Sequence, residues 1–293
     1  MQVSIILPCF NEEASVEDTI QSMRSACAAA KWSTDSYELI VVNDGSLDGT
    51  AQTLKQIGEN DPDLVIIAKE VNQGYGAALK TGIRAARSDL IATMDADSSY
   101  RSDQLIELIH ACQTNDMVVG ARVDSSMTDG KLRSLAKAIL RSYVSWIVRR
   151  PIPDFNSGMR VFRKSIALSH FHLLPDGFSF TATMTIICHQ NLLRVHYSPI
   201  EYLPRVGQSK INPIADTLRF FQLILRTAMY FAPLRVLAPI GVFLGLAGVM
   251  SFLHDAFLLQ NLTDKTVLLF LFAMNVGTLG LIADMIMKRM SKE

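Results

Sequence analysis

The sequence predicts an α/β fold, a mostly parallel sheet with helices on both faces, followed by a pair of membrane-spanning helices. Three observations carry this expectation. Short apolar runs alternate with amphipathic helical patterns from Val3 to about residue 120, the order that right-handed crossovers convert into a parallel sheet covered on both sides. Aspartates recur where those apolar runs end. Two long uncharged runs, Val236–Leu253 and Thr266–Ala283, follow near the C-terminus, each close to the roughly 17 to 25 residues that cross a bilayer.

Taken in order, Val3 to Leu7 reads as a strand closed by Pro8, then Asn11-Glu12-Glu13 as a loop, then a helix through Val16, Ile20 and Met23. Tyr37 to Val42 is a second strand. The turn Asn43-Asp44-Gly45-Ser46 follows, with Ser46 or Asp48 available to cap the next helix. Leu64 to Ala68 is a third strand, leading through Asn72-Gln73-Gly74-Tyr75-Gly76 into a helix. Gly74-x-Gly76 lacks the third glycine of a dinucleotide fingerprint, so packing of that helix on the sheet accounts for both glycines. The fourth run, Leu90 to Met94, ends at Asp95. Beyond it, Asp154 to Lys164 is a loop feeding a strand-like stretch, Gly177 to Phe180 starts a helix, and Val195 to Tyr202 is strand-like.

Composition excludes some classes. Lys plus Arg and Asp plus Glu are 28 each, so no global basic field points to nucleic acid. Cys9, Cys27, Cys112 and Cys188 show no metal-binding spacing and read as reduced, buried thiols. Strand-like residues begin at Val3, so no signal peptide is expected.

The chemistry concentrates at Asp95-Ala96-Asp97. Side chains at i and i+2 of an extended segment point the same way, so both carboxylates can address one hard cation, Mg2+ or Mn2+. Such ions take remaining ligands from substrate phosphates, which implies a diphosphate-bearing substrate. Ligands of open α/β sheets collect beyond the carboxyl ends of the strands, where Asp44 would join Asp95 and Asp97, although Asn-Asp-Gly-Ser is also ordinary turn chemistry.

Lys131 to Arg150 reads as a basic amphipathic helix with Tyr143 and Trp146, suited to a membrane interface or to a solvated face on the core. A second amphipathic segment spans 211–231. Just before it, Arg205-Val206-Gly207-Gln208-Ser209-Lys210 holds two cations around a glycine, either a phosphate clamp or a solvated loop. Neither apolar run shows the polar stripe of a soluble surface helix. The reading is therefore two spans, about 234–254 and 266–287, rather than a hairpin buried in a soluble core. Gly241-x-x-x-Gly245 would let the two spans, or neighbouring subunits of a homo-oligomer, approach closely. Arg219, Arg226 and Arg235 precede the first span and Lys288, Arg289 and Lys292 follow the second. Only Lys265 lies between, so both termini and the N-terminal domain are expected in the cytoplasm, with the Asp255 to Asp264 loop outside.

Taken together, Val3-Ser4-Ile5-Ile6-Leu7-Pro8-Cys9-Phe10-Asn11-Glu12, Val42-Asn43-Asp44-Gly45-Ser46-x-Asp48-Gly49-Thr50, Met94-Asp95-Ala96-Asp97 and Asp154-x-x-Ser157-Gly158 resemble family 2 glycosyltransferases. Arg205-x-Gly207-x-Ser209-Lys210, followed by an interfacial segment and two spans, resembles the dolichol-phosphate mannose synthase group, which glycosylates polyprenyl phosphates. The resemblance implies a GT-A domain over 1–230, including interfacial helices near 131–150 and 211–231, and a transmembrane pair over 234–288. It implies a nucleotide-sugar pocket of Pro8, Phe10, Glu12, Val42, Asp44, Asp95 and Ala96, with Asp97 as principal metal ligand beside Asp95. It also implies that Arg122, Arg205 and Lys210 contact donor or acceptor phosphates. The chain departs from that group at Ser99, where a glutamine is usual, and at Thr183, where a glutamate is usual.

The expected reaction is inverting transfer of a sugar from a nucleotide-diphosphate sugar to a polyprenyl phosphate of dolichyl or undecaprenyl type. A phosphomonoester is largely dianionic at neutral pH and needs no protein base. Transfer to another lipid or glycan acceptor, and a catalytically silent nucleotide-sugar-binding membrane module, are the alternatives.

Overall fold

The computed structural model describes residues 3–122, 148–204 and 232–290, with positions 142, 144–146, 222, 225, 228 and 229. The chain divides into two compact units, Met1–Thr217 and Leu218–Glu293.

The first unit is built on a seven-stranded sheet. Its strands are β1 (Val3–Cys9), β2 (Tyr37–Asn43), β3 (Leu64–Ala68), β4 (Leu90–Thr93), β5 (Met117–Arg122), β6 (Arg160–Arg163) and β7 (Val195–Ile200), in the order β3-β2-β1-β4-β6-β5-β7. Every residue of β1, β2 and β4 is buried, which is why these strands read as continuous apolar runs rather than alternating ones. Helices α1 (Val16–Ala29), α2 (Thr50–Asn60) and α4 (Ser102–Ala111) cover one face. They pack Ile20, Met23, Leu54, Leu105 and Ile109 against Ile5, Leu7, Leu39 and Val41. On the other face lies α3 (Tyr75–Ala85), where a Cβ on Gly82 would meet Ile6 Cγ2 at 2.5 Å. The chain continues through α5 (Lys164–Ser169) and α6 (Phe180–Gln190).

Pro8 lies inside a strand paired on both sides, a position normally closed to proline. The register explains it. Ile6 O accepts from Met94 N–H at 3.2 Å on the β4 side, and alternate residues face the same neighbour. The missing N–H of Pro8 therefore points past the end of β4, whose pairing with β1 stops at Thr93.

One expectation holds with an added detail, and another changes. The Asp154 to Lys164 segment does feed a strand, but β6 runs antiparallel to both β4 and β5 and separates them. Gly74 and Gly76 do not mediate packing on the sheet. A Cβ on Gly74 would lie 2.5 Å from Asp176 O, and one on Gly76 would lie 2.2 Å from Pro175 O, so both make room for the 175–177 segment. Gly74 also has φ +106°, which a side chain would strain. All four cysteines are free and buried, and burial with nearby carboxylates pushes the Cys9 thiol up to about 12.

Most of the two amphipathic segments lies outside the described residues. Between 144 and 148, Val144 and Val148 are buried and Trp146 is exposed, the pattern of a two-faced helix.

The second unit is a helical hairpin, α7 (Pro233–His254) and α8 (Asp264–Met290). Only 11% of the most apolar window of each helix is buried, the reverse of a hairpin inside a soluble core. The outward positions are apolar, among them Phe243, Met250, Met274 and Met285, as contact with lipid requires. Gly241 and Gly245 face Ala273, and Gly248 faces Phe270, so this small-residue stripe is used between the two spans of one chain. The connecting loop is shorter than expected, because α7 continues as a π-turn over Asp255–Leu259. Asp255 Oδ2 accepts from Thr263 N–H at 2.9 Å and Thr263 Oγ1 at 2.6 Å, and lies 2.7 Å from Thr266 Oγ1. One carboxylate thus ties the end of the first span to the start of the second.

Candidate functional site

β1 ends at Cys9 with β2 on one side and β4 on the other, so the loops leaving all three strands meet at one place. This is the topological switch point of the sheet, where a crevice opens between diverging crossovers. The loop after β1 is knitted to the loop after β2. Asn11 N–H donates to Ser46 Oγ at 2.9 Å, Glu12 N–H to Thr50 Oγ1 at 2.9 Å, and Leu47 N–H to Asn11 Oδ1 at 2.7 Å.

Asp95-Ala96-Asp97 follows β4 after Met94 and borders this crevice. Asp97 is 6% exposed, and its Oδ1 accepts from Ser99 N–H at 3.1 Å and from the Ser99 hydroxyl. The serine found where the mannose group has glutamine therefore orients Asp97. Ser98, with φ 58°, makes the left-handed turn between them. Ala96 is buried, and its carbonyl oxygen lies 3.0 Å from Ser15 Oγ and 3.3 Å from Thr19 Oγ1 at the start of α1. Ser15 Oγ is also 3.2 Å from Glu12 Oε2, which links the Phe10–Glu13 loop to the aspartates.

Asp95 is confined from two sides. Tyr75 OH donates to its Oδ1 at 2.8 Å, and a Cβ on Gly158 would stand 2.6 Å from each of its carboxylate oxygens. Burial, and then the charge of Asp95, raise the Tyr75 pKa well above its ordinary value, so this phenol keeps its proton and donates. Gly158 is fixed in turn. Its N–H donates to Tyr100 OH at 3.0 Å and its carbonyl accepts from Thr93 Oγ1 at 2.8 Å. Behind it, the fully buried Arg160 donates from Nε to Ser157 O at 3.1 Å and from Nη1 to Thr181 O at 2.8 Å, joining this turn to α6.

The other expected pocket residues fall as follows. Phe10 is half-buried beyond β1, and Glu12 is 9% exposed. Pro8 and Val42 are buried in their strands and can only back the crevice. Asp44 arrives at the end of β2 as expected, but both its oxygens are engaged. Oδ1 accepts from Lys69 Nζ at 2.9 Å and Oδ2 from Gly74 N–H at 2.7 Å. Its carboxylate thus holds the turn that opens α3. Arg122, read as a phosphate contact, is clamped by Asp154, with Nε to Oδ2 at 2.7 Å and Nη2 to Oδ1 at 3.1 Å, and lies over the Tyr202 ring at 5.3 Å. Arg205 and Lys210 lie outside the described residues. The chain leading to them passes the site, because Leu203 N–H donates to Ser99 O at 2.9 Å.

Sequence reading missed Tyr75, Tyr100, Arg160 and Phe178. Tyr75 stood in plain view between Gly74 and Gly76, but only the fold brings it to Asp95.

The donor set suits a hard divalent cation held jointly with a diphosphate. It consists of carboxylate oxygens, and among the described residues no cluster of three or more His, Cys, Asp or Glu could hold an ion alone. Asp95 and Asp97 are the residues that would hold it.

Residues 4–171 match the family described as Glycosyl transferase family 2, and residues 232–288 match the GtrB C-terminal hairpin. Similar sequences include the undecaprenyl-phosphate 4-deoxy-4-formamido-L-arabinose transferases of Yersinia pestis (strain Pestoides F) and Yersinia pseudotuberculosis serotype O:3 (strain YPIII). Each is 30% identical over 251 residues, covering 84% of this chain and 73% of the relative. Among solved structures, glucosyl-3-phosphoglycerate synthase from Mycobacterium tuberculosis, crystallised with uridine diphosphate (UDP), aligns with a TM-score of 0.60 at 18% identity. The alignment covers 78% of this chain and 80% of that one. The same enzyme with Mn2+, UDP and glucosyl-3-phosphoglycerate gives 0.57 at 18% identity over 78% and 80%. At that identity the likeness establishes the GT-A-like fold.

The Arg122–Asp154 pair sets a pH dependence. Burial alone would raise the Asp154 pKa, but the charge and hydrogen bonds of Arg122 outweigh it and hold the carboxyl below its ordinary value. A group depressed in the folded state contributes stability above its unfolded pKa of about 3.9, and that stability is lost as pH falls through the folded value. Asp154→Asn should therefore cost about 1–3 kcal/mol at neutral pH. The difference in thermal melt from the native chain should narrow below about pH 4. A difference that stays constant down to pH 2 would contradict the pairing.

Proposed function

The chain belongs to glycosyl transferase family 2, and from that membership we propose that it is a membrane-bound inverting transferase moving a sugar from a nucleotide-diphosphate sugar to a polyprenyl phosphate. The observation that carries this reading is the Asp95-Ala96-Asp97 turn, set at the switch point of a GT-A-like sheet in a chain that ends in two lipid-facing helices. The acceptor in the names of the Yersinia relatives, undecaprenyl phosphate, supports the polyprenyl class.

In this proposal Asp95 and Asp97 would hold Mg2+ or Mn2+, with the donor diphosphate supplying further oxygen ligands. The bound cation supplies charge neutralisation of the departing nucleoside diphosphate. Ser99 orients Asp97. Phe10, Glu12 and the backbone at Ala96 border the nucleotide, with Pro8 and Val42 behind them. Asp44 sets the turn at Gly74. Arg122, Arg205 and Lys210 offset repulsion between two anionic reactants. The acceptor oxygen attacks the anomeric carbon, and the bond to the diphosphate breaks on the opposite side. A phosphate acceptor arrives already ionised, which suits a site with Thr183 where the mannose group has a glutamate. A hydroxyl acceptor, on another lipid or a glycan, would require a base there. The division into a 1–230 domain and a 234–288 transmembrane pair, with interfacial segments near 131–150 and 211–231, belongs to the same reading. It keeps the acceptor in a plane, which raises its effective concentration at the site.

Asp97→Asn should lower transfer by about a hundredfold or more while leaving the thermal melt within a few degrees of the native value. Turnover should likewise vanish on chelation and return with Mn2+ or Mg2+. Full turnover in the variant, or in the presence of chelator, would contradict the metal assignment.

The cation distribution around the spans supports a cytoplasmic catalytic domain with both termini inside. In sealed cells an impermeant thiol reagent should label Asn261→Cys and spare Ser291→Cys. The opposite pattern would place the active site away from cytoplasmic nucleotide sugars.

A further inference from the structure

We propose that Tyr75 is a positioning residue of the donor site, fixing the Asp95 carboxylate through its phenolic hydrogen bond and thereby linking Asp44 to the metal–diphosphate centre. The inference rests on the donor-site reading of Asp95 given above.

Three observations carry it. The hydroxyl of Tyr75 donates to Asp95 Oδ1 at 2.8 Å, while the main chain at Gly158 closes the other side so tightly that a Cβ would reach 2.6 Å from the carboxylate. The carboxylate is therefore held between a donor and a wall. Second, the backbone that carries Tyr75 is fixed at both flanks. Gly74 N–H donates to Asp44 Oδ2 at 2.7 Å and Ala77 N–H donates to Asp176 O at 3.0 Å. Third, the ring stacks on Phe178, with centroids 5.8 Å apart and planes inclined by 16°. Phe178 is 69% exposed and makes this stack from the position directly after the 175–177 segment that Gly74 and Gly76 accommodate.

This arrangement gives Asp44 a route into the site. An aspartate at the end of β2 whose oxygens are engaged cannot offer them to a ligand at no cost, but it can set the turn from which Tyr75 reaches Asp95. A carboxylate ligand held in one rotamer loses less conformational freedom when it binds a cation, so its orientation enters directly into metal-dependent affinity. Tyr75→Phe keeps the ring, the stack and the packing, and removes only the hydrogen bond.

The test measures binding of UDP, GDP, CDP and ADP to the detergent-solubilised full chain by calorimetry, with Mn2+ and with chelator. The nucleotide that the native chain binds best serves for the variants. Tyr75→Phe should weaken Mn2+-dependent binding about tenfold, leave metal-free binding unchanged and keep the thermal melt. On an Asp95→Asn background it should add no further loss, because it acts through Asp95. A purely structural tyrosine would lower the melt and weaken binding equally with and without metal. That result, or Mn2+-dependent affinity unchanged in Tyr75→Phe while Asp95→Asn weakens it, overturns the proposal. If Asp95→Asn itself leaves Mn2+-dependent binding intact, or if the native chain binds none of the four nucleotides, the donor-site reading falls first and takes this inference with it.

Discussion

The structure depends on one constraint of chain geometry, the position of β1 between β2 and β4. All three strands are parallel, and the crossovers carry the chain to one side of β1 and then to the other. The loops leaving their carboxyl ends must therefore diverge, and the space between them cannot be filled by the sheet. Everything chemically distinctive collects there: the Phe10–Glu13 loop, the Asp44 turn and the Asp95-Ala96-Asp97 turn. Even Pro8 is admitted only because β4 stops before it would need a donor on that side.

A second constraint is steric. Asp95 is a carboxylate pressed against backbone, and only glycine at 158 leaves room for it. Holding that turn in place costs the burial of a guanidinium, Arg160, which is 0% exposed and donates to carbonyl oxygens of Ser157 and Thr181. An unpaired charge in such a place would cost several kcal/mol, and carbonyl acceptors offset part of it. The return is a rigid floor under the aspartates, the condition for transition-state charge to be met by groups that need not reorganise.

Much of this was legible in the sequence because burial on both sheet faces leaves unbroken apolar runs. β1, β2, β3 and β4 begin and end within a residue or two of the runs that announced them, and Asp44, Asp95 and Asp97 lie at the strand ends where the pattern put them. What escaped notice depends on contacts distant in sequence. A four-residue strand such as β6 has no signature of direction. Tyr75 and Asp95, or Arg122 and Asp154, are joined only by the fold. Nothing local reveals that Lys69 and Gly74 would hold the Asp44 carboxylate. The Gly241-x-x-x-Gly245 motif does not by itself say which helix it meets, and in the fold it meets Ala273 of the second span. The short hairpin loop follows from Asp255 reaching across to Thr263, a pairing that apolar run lengths do not encode.

A membrane lipid bearing a phosphate is the acceptor class that the names of the Yersinia relatives and the two apolar helices both support. The most direct measurement is transfer of label from a panel of radiolabelled nucleoside diphosphate sugars to lipid, by the purified full chain with Mn2+ or Mg2+, in vesicles containing either undecaprenyl phosphate or diacylglycerol. The account predicts that label from one donor enters the lipid phase only where undecaprenyl phosphate is present. Transfer to diacylglycerol alone, or nucleotide-sugar binding without transfer to either lipid, would contradict it.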